Sequence, residues 1–156
     1  MSLGWGEVPA GEWAGLKTKP GADQVPPGDY EVEVEKYLHF EPNTKEKADA
    51  CGSHVLVCKV SEKNAEAVGK ELHIRLNYDP NPQNDGRRKM NLISQQNAKA
   101  LFEATAAEQV MTPAGNVNIV ETLKALPTKK PRLIVLVTDS KNSEYQETKN
   151  FRPALS

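Results

Sequence analysis

Apolar and polar positions alternate most cleanly just after Pro26-Pro27-Gly28. Tyr30, Val32 and Val34 interleave there with Glu31, Glu33 and Glu35, the period of two that gives a strand one buried and one wet face. The same alternation predicts that Leu38 and Phe40 continue the apolar side, with Tyr37 and His39 on the other. A polar loop from Pro42 to Gly52 leads to a second strand at about His54 to Val60, apolar enough to be central. Gly69-Lys70 turns into a third, where Leu72, Ile74, Leu76 and Tyr78 alternate with Glu71, His73, Arg75 and Asn77. After a loop from Asp79 to Gly86 the period lengthens. A helix is expected from about Arg88 to Gln109, with Met90, Ile93, Leu101 and Ala104 near one stripe. Thr112-Pro113-Ala114-Gly115 breaks it. Asn118 and Glu121 have capping-box spacing, so a short second helix should carry Ile119, Leu123 and Leu126 on one face and end at Pro127. A β-branched run, Arg132 to Thr138, predicts a fourth strand, and Glu144 to Phe151 a fifth, closed by Pro153.

Three strands, a helix and two strands is the order of the five-stranded OB barrel, whose helix sits between strands three and four. The expected class is mainly β (α+β): an OB-like antiparallel barrel, or an open sheet packed by a helix, over residues 29–156. Residues 1–28 read as an irregular arm, because they hold six of the 10 Gly and four of the 11 Pro, with both tryptophans. Trp5 and Trp13 are candidate contacts to the chain's own core, a neighbouring subunit or another partner; base stacking is the other reading.

Composition narrows the function classes. No apolar run exceeds five residues, against the roughly 20 that span a bilayer, and mean hydropathy is -0.61. No membrane association is therefore expected, and no secretory signal. Cys51 and Cys58 are too few for a disulfide framework, and their spacing is not that of a zinc site. The sequence contains no phosphate-cradling Gly-x-x-x-x-Gly-Lys-Ser/Thr, no His-Glu-x-x-His and no Gly-x-Ser-x-Gly. Asp79 to Met90 lacks the central Gly and final Glu of a calcium loop. The Glu31, Glu33 and Glu35 row faces water and needs no catalytic role. A binding protein is expected, with no enzymatic activity, metal or cofactor.

Charge locates the candidate contacts. The total is -1, but residues 1–60 carry 6 basic and 10 acidic side chains while residues 111–156 carry 7 and 4. Arg87, Arg88 and Lys89 stand where a helix begins, an end that favours acidic residues. A bound phosphate would resolve that conflict; cations in the preceding loop, pointing to solvent, would resolve it equally. A second cluster comprises Lys129, Lys130 and Arg132, joined by Lys141, Lys149 and Arg152 around the last hairpin. Tyr145 on that hairpin, and Tyr37 beside Lys36, are candidate stacking surfaces, with Arg75 on the polar register of strand three; Phe151 reads as core. Flat aromatics beside cations suit a single strand, since stacking contributes about 1–3 kcal/mol per base and cations track the backbone.

Several segments also resemble a known family. Val25-Pro26-Pro27-Gly28-Asp29-Tyr30-Glu31-Val32 resembles the Pro-x-Gly-x-Tyr opening of strand one in a family of small bacteriophage proteins. Many members have no assigned function; some are identified as single-stranded-DNA-binding proteins encoded beside replication and recombination genes. Val68-Gly69-Lys70-Glu71-Leu72 through Arg75-Leu76-Asn77 is similar to that family's third strand, and Tyr145 to Ala154 resembles its ending. The resemblance implies an OB-like fold and single-stranded nucleic-acid binding in the cytoplasm of an infected bacterial host. It maps pattern positions onto Tyr30, Gly69, Lys70, Leu76, Asn77, Phe151 and Pro153, which matter to the fold rather than to contacts.

The resulting expectation is a non-catalytic phage single-stranded-DNA-binding protein supporting replication, recombination or transcription. Its near-zero charge predicts weak binding by one subunit, hence homo-oligomerisation, and a phage polymerase or recombination protein is a candidate partner. The alternative is a protein-interaction or structural virion module whose Trp arm docks on a partner and which ignores DNA.

Overall fold

The computed structural model describes residues 7, 9–10, 13, 25–43, 45, 50–61, 67–139 and 146–154. Five strands and two helices follow one another as β1 (Gly28–Phe40), β2 (Gly52–Val60), β3 (Glu71–Tyr78), α1 (Asp85–Thr105), α2 (Ile119–Lys129), β4 (Arg132–Asp139) and β5 (Gln146–Pro153). The strands form one antiparallel sheet in the order β3-β2-β1-β4-β5. The long first strand pairs on both sides, with β4 over Gly28 to Glu33 and with β2 over Val32 to Phe40. The edge strands β3 and β5 are tied directly, the Thr148 hydroxyl donating to the His73 carbonyl at 2.7 Å.

Alternation decides what the sheet buries. Val32 and Val34 share their face with Leu56, Cys58, Leu72, Ile74, Leu76, Leu133, Val135 and Val137, all buried. Against it pack Ala98, Leu101, Phe102 and Ala104 of α1 and Leu123 and Leu126 of α2. Burial pushes the Cys58 thiol far above its ordinary value, so it behaves as a small apolar group. Phe151 packs on the edge of this core, as its pattern position suggested. Val25, in the segment read as arm, is buried and exchanges two hydrogen bonds with the Gln146 carboxamide, at 2.9 and 2.6 Å.

Three local differences from the sequence reading have clear causes. The alternation of β1 does not run through: Val34 pairs with Cys58 but Lys36 with Val57, so Glu35 is an extra, bulged residue. Beyond the bulge every side chain changes face. Tyr37 and His39 therefore join the core side, and Leu38 and Phe40 the opposite one. Helix α1 begins earlier than expected, because the Asn84 side chain caps the Arg87 amide at 2.9 Å and Asp85 supplies the acidic first turn. It also ends earlier, at Ala106 in the left-handed region (φ 51), with the Ala107 amide turned back to the Phe102 carbonyl at 2.9 Å. Helix α2 is capped by Asn118 as its spacing predicted, but runs past Pro127 to Lys129. A proline in the last turn costs only its own hydrogen bond, and Lys130, left-handed at φ 45, closes the end.

Thr122 anchors the connection between the helices. Its buried hydroxyl accepts from the Val110 amide at 3.0 Å and donates to the Asn118 carbonyl at 2.7 Å. Among the described residues no helix is long and apolar enough to cross a membrane.

Candidate nucleic-acid interface

The face of the sheet away from the core divides into two halves. On the β1–β4–β5 half, the acidic row of β1 lies beside cations of β4, of β5 and of the α2 end. Glu33 pairs with Arg132 at 3.5 Å and Glu35 with Lys130 at 3.6 Å, while Asp29 is bonded by Arg152. Lys149 stands 3.9 Å from Glu147 on its own strand. Glu31 is buried and accepts from the Ser61 hydroxyl at 2.7 Å. Four of the predicted phosphate contacts, Lys130, Arg132, Lys149 and Arg152, are thus neutralised within the protein.

The helix-start cluster is resolved from within as well. Arg87 lies 3.5 Å from the buried Asp79 carboxylate and donates to the Cys51 thiol. Asp79 is fixed in turn, its carboxylate accepting from the Asn81 amide at 2.9 Å and its backbone gripped at both ends by Asn91. Arg88 pairs with Asp85 at 2.5 Å. Carboxylates thus do for Arg87 and Arg88 what a bound phosphate would have done, and neither of the two expected resolutions is needed for them. Lys89 and Lys129 are exposed and make no ion pair among the described residues.

The β1–β2–β3 half is built differently. Val55 and Val57 are buried on it, with Leu38 and Arg75 paired to the first and Lys36 and His73 to the second. Long basic side chains there lie beside apolar groups with their charged ends in water. Phe40 is 49% exposed, and the Arg75 guanidinium sits 5.7 Å from its ring centre. Lys36 is exposed and without an ion pair among the described residues, whereas Lys59 stands opposite Glu33 and Glu71. Nearby Ser53 donates to Asn77 at 2.6 Å. Lys36 and Arg75, both candidate contacts, thus fall on the same half of this face, and the aromatic ring beside Arg75 is Phe40. Sequence periodicity had assigned Phe40 to the core side, and only the bulge turns it out.

Tyr37 lies elsewhere, in an aromatic row on the core side at the far end of β1, β2 and β3. The His54 ring packs on both His39 and Tyr78, with ring centres 4.4 and 4.8 Å away and planes within 20° and 17°, and His39 and Tyr78 meet each other at 5.8 Å. The Tyr37 hydroxyl is hydrogen-bonded to His54 Nδ1 at 2.6 Å, and the Tyr78 hydroxyl to His39 Nε2 at 2.7 Å. Gly52, opposite Tyr78, is required here, since a Cβ would fall 2.5 Å from the Tyr78 ring. Burial, then His39 and Lys124, lower the His54 pKa, so the ring is neutral at pH 7. Burial also raises both phenols, aided at Tyr37 by Tyr78 and Glu121 and at Tyr78 by Glu41. The row was not found in the sequence because its four members come from three strands.

Of the remaining candidates, Trp5, Lys141 and Tyr145 lie outside the described residues. Trp13 is 68% exposed, its amide donating to the Pro9 carbonyl at 2.9 Å. Among the described residues no cluster of His, Cys, Asp and Glu could hold a metal ion. Compared with known proteins, the chain matches no family model and no curated protein.

Proposed function

We propose that this protein binds single-stranded DNA without catalysis, through an OB-like fold, on the β1–β2–β3 half of its outer face. The observation that carries the reading is the exposed Phe40 ring with the Arg75 guanidinium over it and Lys36 two pairs away on the same face. An aromatic face for stacking and cations for the backbone are the two requirements of sequence-tolerant strand binding. The strand order, with helices between β3 and β4 and the β3–β5 tie, supports a partly open OB-like barrel, a fold that uses this face for oligonucleotides. The resemblance to phage single-strand binders supports a role in replication, recombination or transcription in the infected host's cytoplasm. Two cations per subunit bind weakly, so several subunits coat a strand together; the exposed Trp13 is the candidate contact between subunits or to a phage polymerase or recombination protein.

Fluorescence anisotropy with labelled single-stranded and duplex oligonucleotides across a salt series tests this. Two phosphate contacts predict a slope of log K against log salt of about -1.4 for the single strand, at about -0.7 per phosphate. A preference for the single strand with such a slope is the expected result. Absence of binding to either form at low salt would falsify the reading and favour a protein-docking module.

A further inference from the structure

A cleft of about 230 Å³ opens beside the aromatic row, between the ends of β2 and β3 and the two helices. His54, Leu76 and Tyr78 wall it from the sheet, Asn91, Ser94 and Gln95 from α1, and Ile119 and Val120 from α2. We infer that this cleft is a binding site for one nucleobase, which packs against the His54 and Tyr78 rings and meets the Gln95 carboxamide at its edge.

The space is below the roughly 300–1,000 Å³ of sites for drug-sized ligands, and suits a single small planar group. His54 and Tyr78 are already stacked and held by hydrogen bonds to Tyr37 and His39, so a guest ring meets a preorganised wall. On the other side, Ile119 and Val120 provide apolar contact. The polar lining also includes Asn77 and Asp79, whose side chains are already bonded to Ser53 and to the Asn81 amide and Arg87, and the rest of it divides in two. Asn91 is committed to the Asp79 backbone and the Ser94 hydroxyl to the Asn77 carbonyl, so both brace the wall. Gln95 has no partner among the described residues, leaving both a donor and an acceptor for a base edge. Arg87 is held by Asp79 and Lys124 by Glu121 at 3.3 Å, and no cation lines the cleft among the described residues to receive a phosphate group. The lining selects an uncharged heteroaromatic ring over a sugar phosphate. The site faces the opposite side of the sheet from Phe40 and does not depend on the outer-face reading. A base reaches it either on a strand or as a free nucleotide.

Backbone amide NMR of the full chain tests the inference with thymidine monophosphate, deoxyribose 5-phosphate and a ten-residue oligothymidylate. Saturable shifts at Tyr78, Gln95 and Val120 with the nucleotide, absent with the sugar phosphate, are expected. Gln95→Leu, on an exposed helix position, should weaken the nucleotide about fivefold, the effect of one net hydrogen bond. Val120→Trp should fill the cleft and abolish the shifts. If the oligothymidylate moves the same amides and displaces the nucleotide, the base arrives on a strand; if it leaves them unmoved, the site takes free nucleotides. No shift with either nucleotide or oligonucleotide overturns the inference, as does an equal response to deoxyribose 5-phosphate. Phe40→Ala with Arg75→Ala should weaken the oligonucleotide and leave the nucleotide shifts intact, which separates failure of this site from failure of the outer face.

Discussion

The two halves of the outer face carry similar residue types and differ in what the register does with them. On the β4–β5 half, Arg132, Lys130 and Arg152 each fall beside a carboxylate of β1. On the β2–β3 half, Arg75 falls beside Phe40, and Lys36 beside Val57. Exposed ion pairs contribute only about 0–1 kcal/mol to stability, yet they cancel the field that would attract a phosphate. A count of cations along the chain ranks the β4–β5 half first. The cross-strand partners reverse that ranking, because only an unpaired cation beside an exposed ring offers a strand something it does not already have in water.

Four measurements break or sharpen this contrast. The largest effect is expected from Phe40→Ala combined with Arg75→Ala. Losing one stacked base should weaken single-strand affinity about tenfold or more by anisotropy, with the thermal midpoint little changed because both groups are exposed. An unchanged affinity would remove the β2–β3 half from consideration. Lys36→Gln should act next, lowering affinity several-fold at low salt and reducing the magnitude of the salt slope by about 0.7. Unchanged slope would mean that Lys36 meets no phosphate.

The aromatic row makes a pH-dependent prediction on the core side. Burial lowers the His54 pKa in the folded chain below its ordinary 6.5, so between those values the unfolded chain binds more protons. Stability should therefore fall as pH drops below about 6.5 and level off once the folded His54 has also protonated. Thermal melts between pH 7.5 and 5 check this, with His54→Gln expected to flatten that part of the profile; a parallel profile in the variant would assign the dependence to other groups. The smallest effect belongs to the ion-pair ladder. Lys130→Ala and Arg132→Ala should each change single-strand affinity less than about twofold and stability by less than about 1 kcal/mol. A larger loss of affinity would show that the ladder opens to admit phosphates.

Much of the fold was legible because it depends on near neighbours. The first half of β1, the apolar β2, the β3 alternation and the Asn118 cap follow from local periodicity and capping, and all are found. The site was far less legible. Val34, Lys36, Leu38 and Phe40 keep an unbroken even spacing, so nothing local marks Glu35 as bulged; the marker is where Cys58 and Val57 sit on the next strand. Likewise the conflict at Arg87-Arg88-Lys89 was visible, but its resolution was not. Asp79 is eight residues before Arg87 and reaches it only because the loop is pinned by Asn91.

By itself the sequence determined the order of elements, the apolar stripe each would bury and the absence of familiar catalytic motifs, since those depend on residue type and spacing along one segment. Tertiary structure decided the strand order, the face on which Phe40 and Tyr37 stand, which cations are neutralised, and the gathering of His39, His54 and Tyr78 beside a cleft. The physical reason is common to all four. A strand's side chains have a period of two, so one bulged residue exchanges their faces, and a charge or ring acquires its role from whichever residue the neighbouring strand places opposite it.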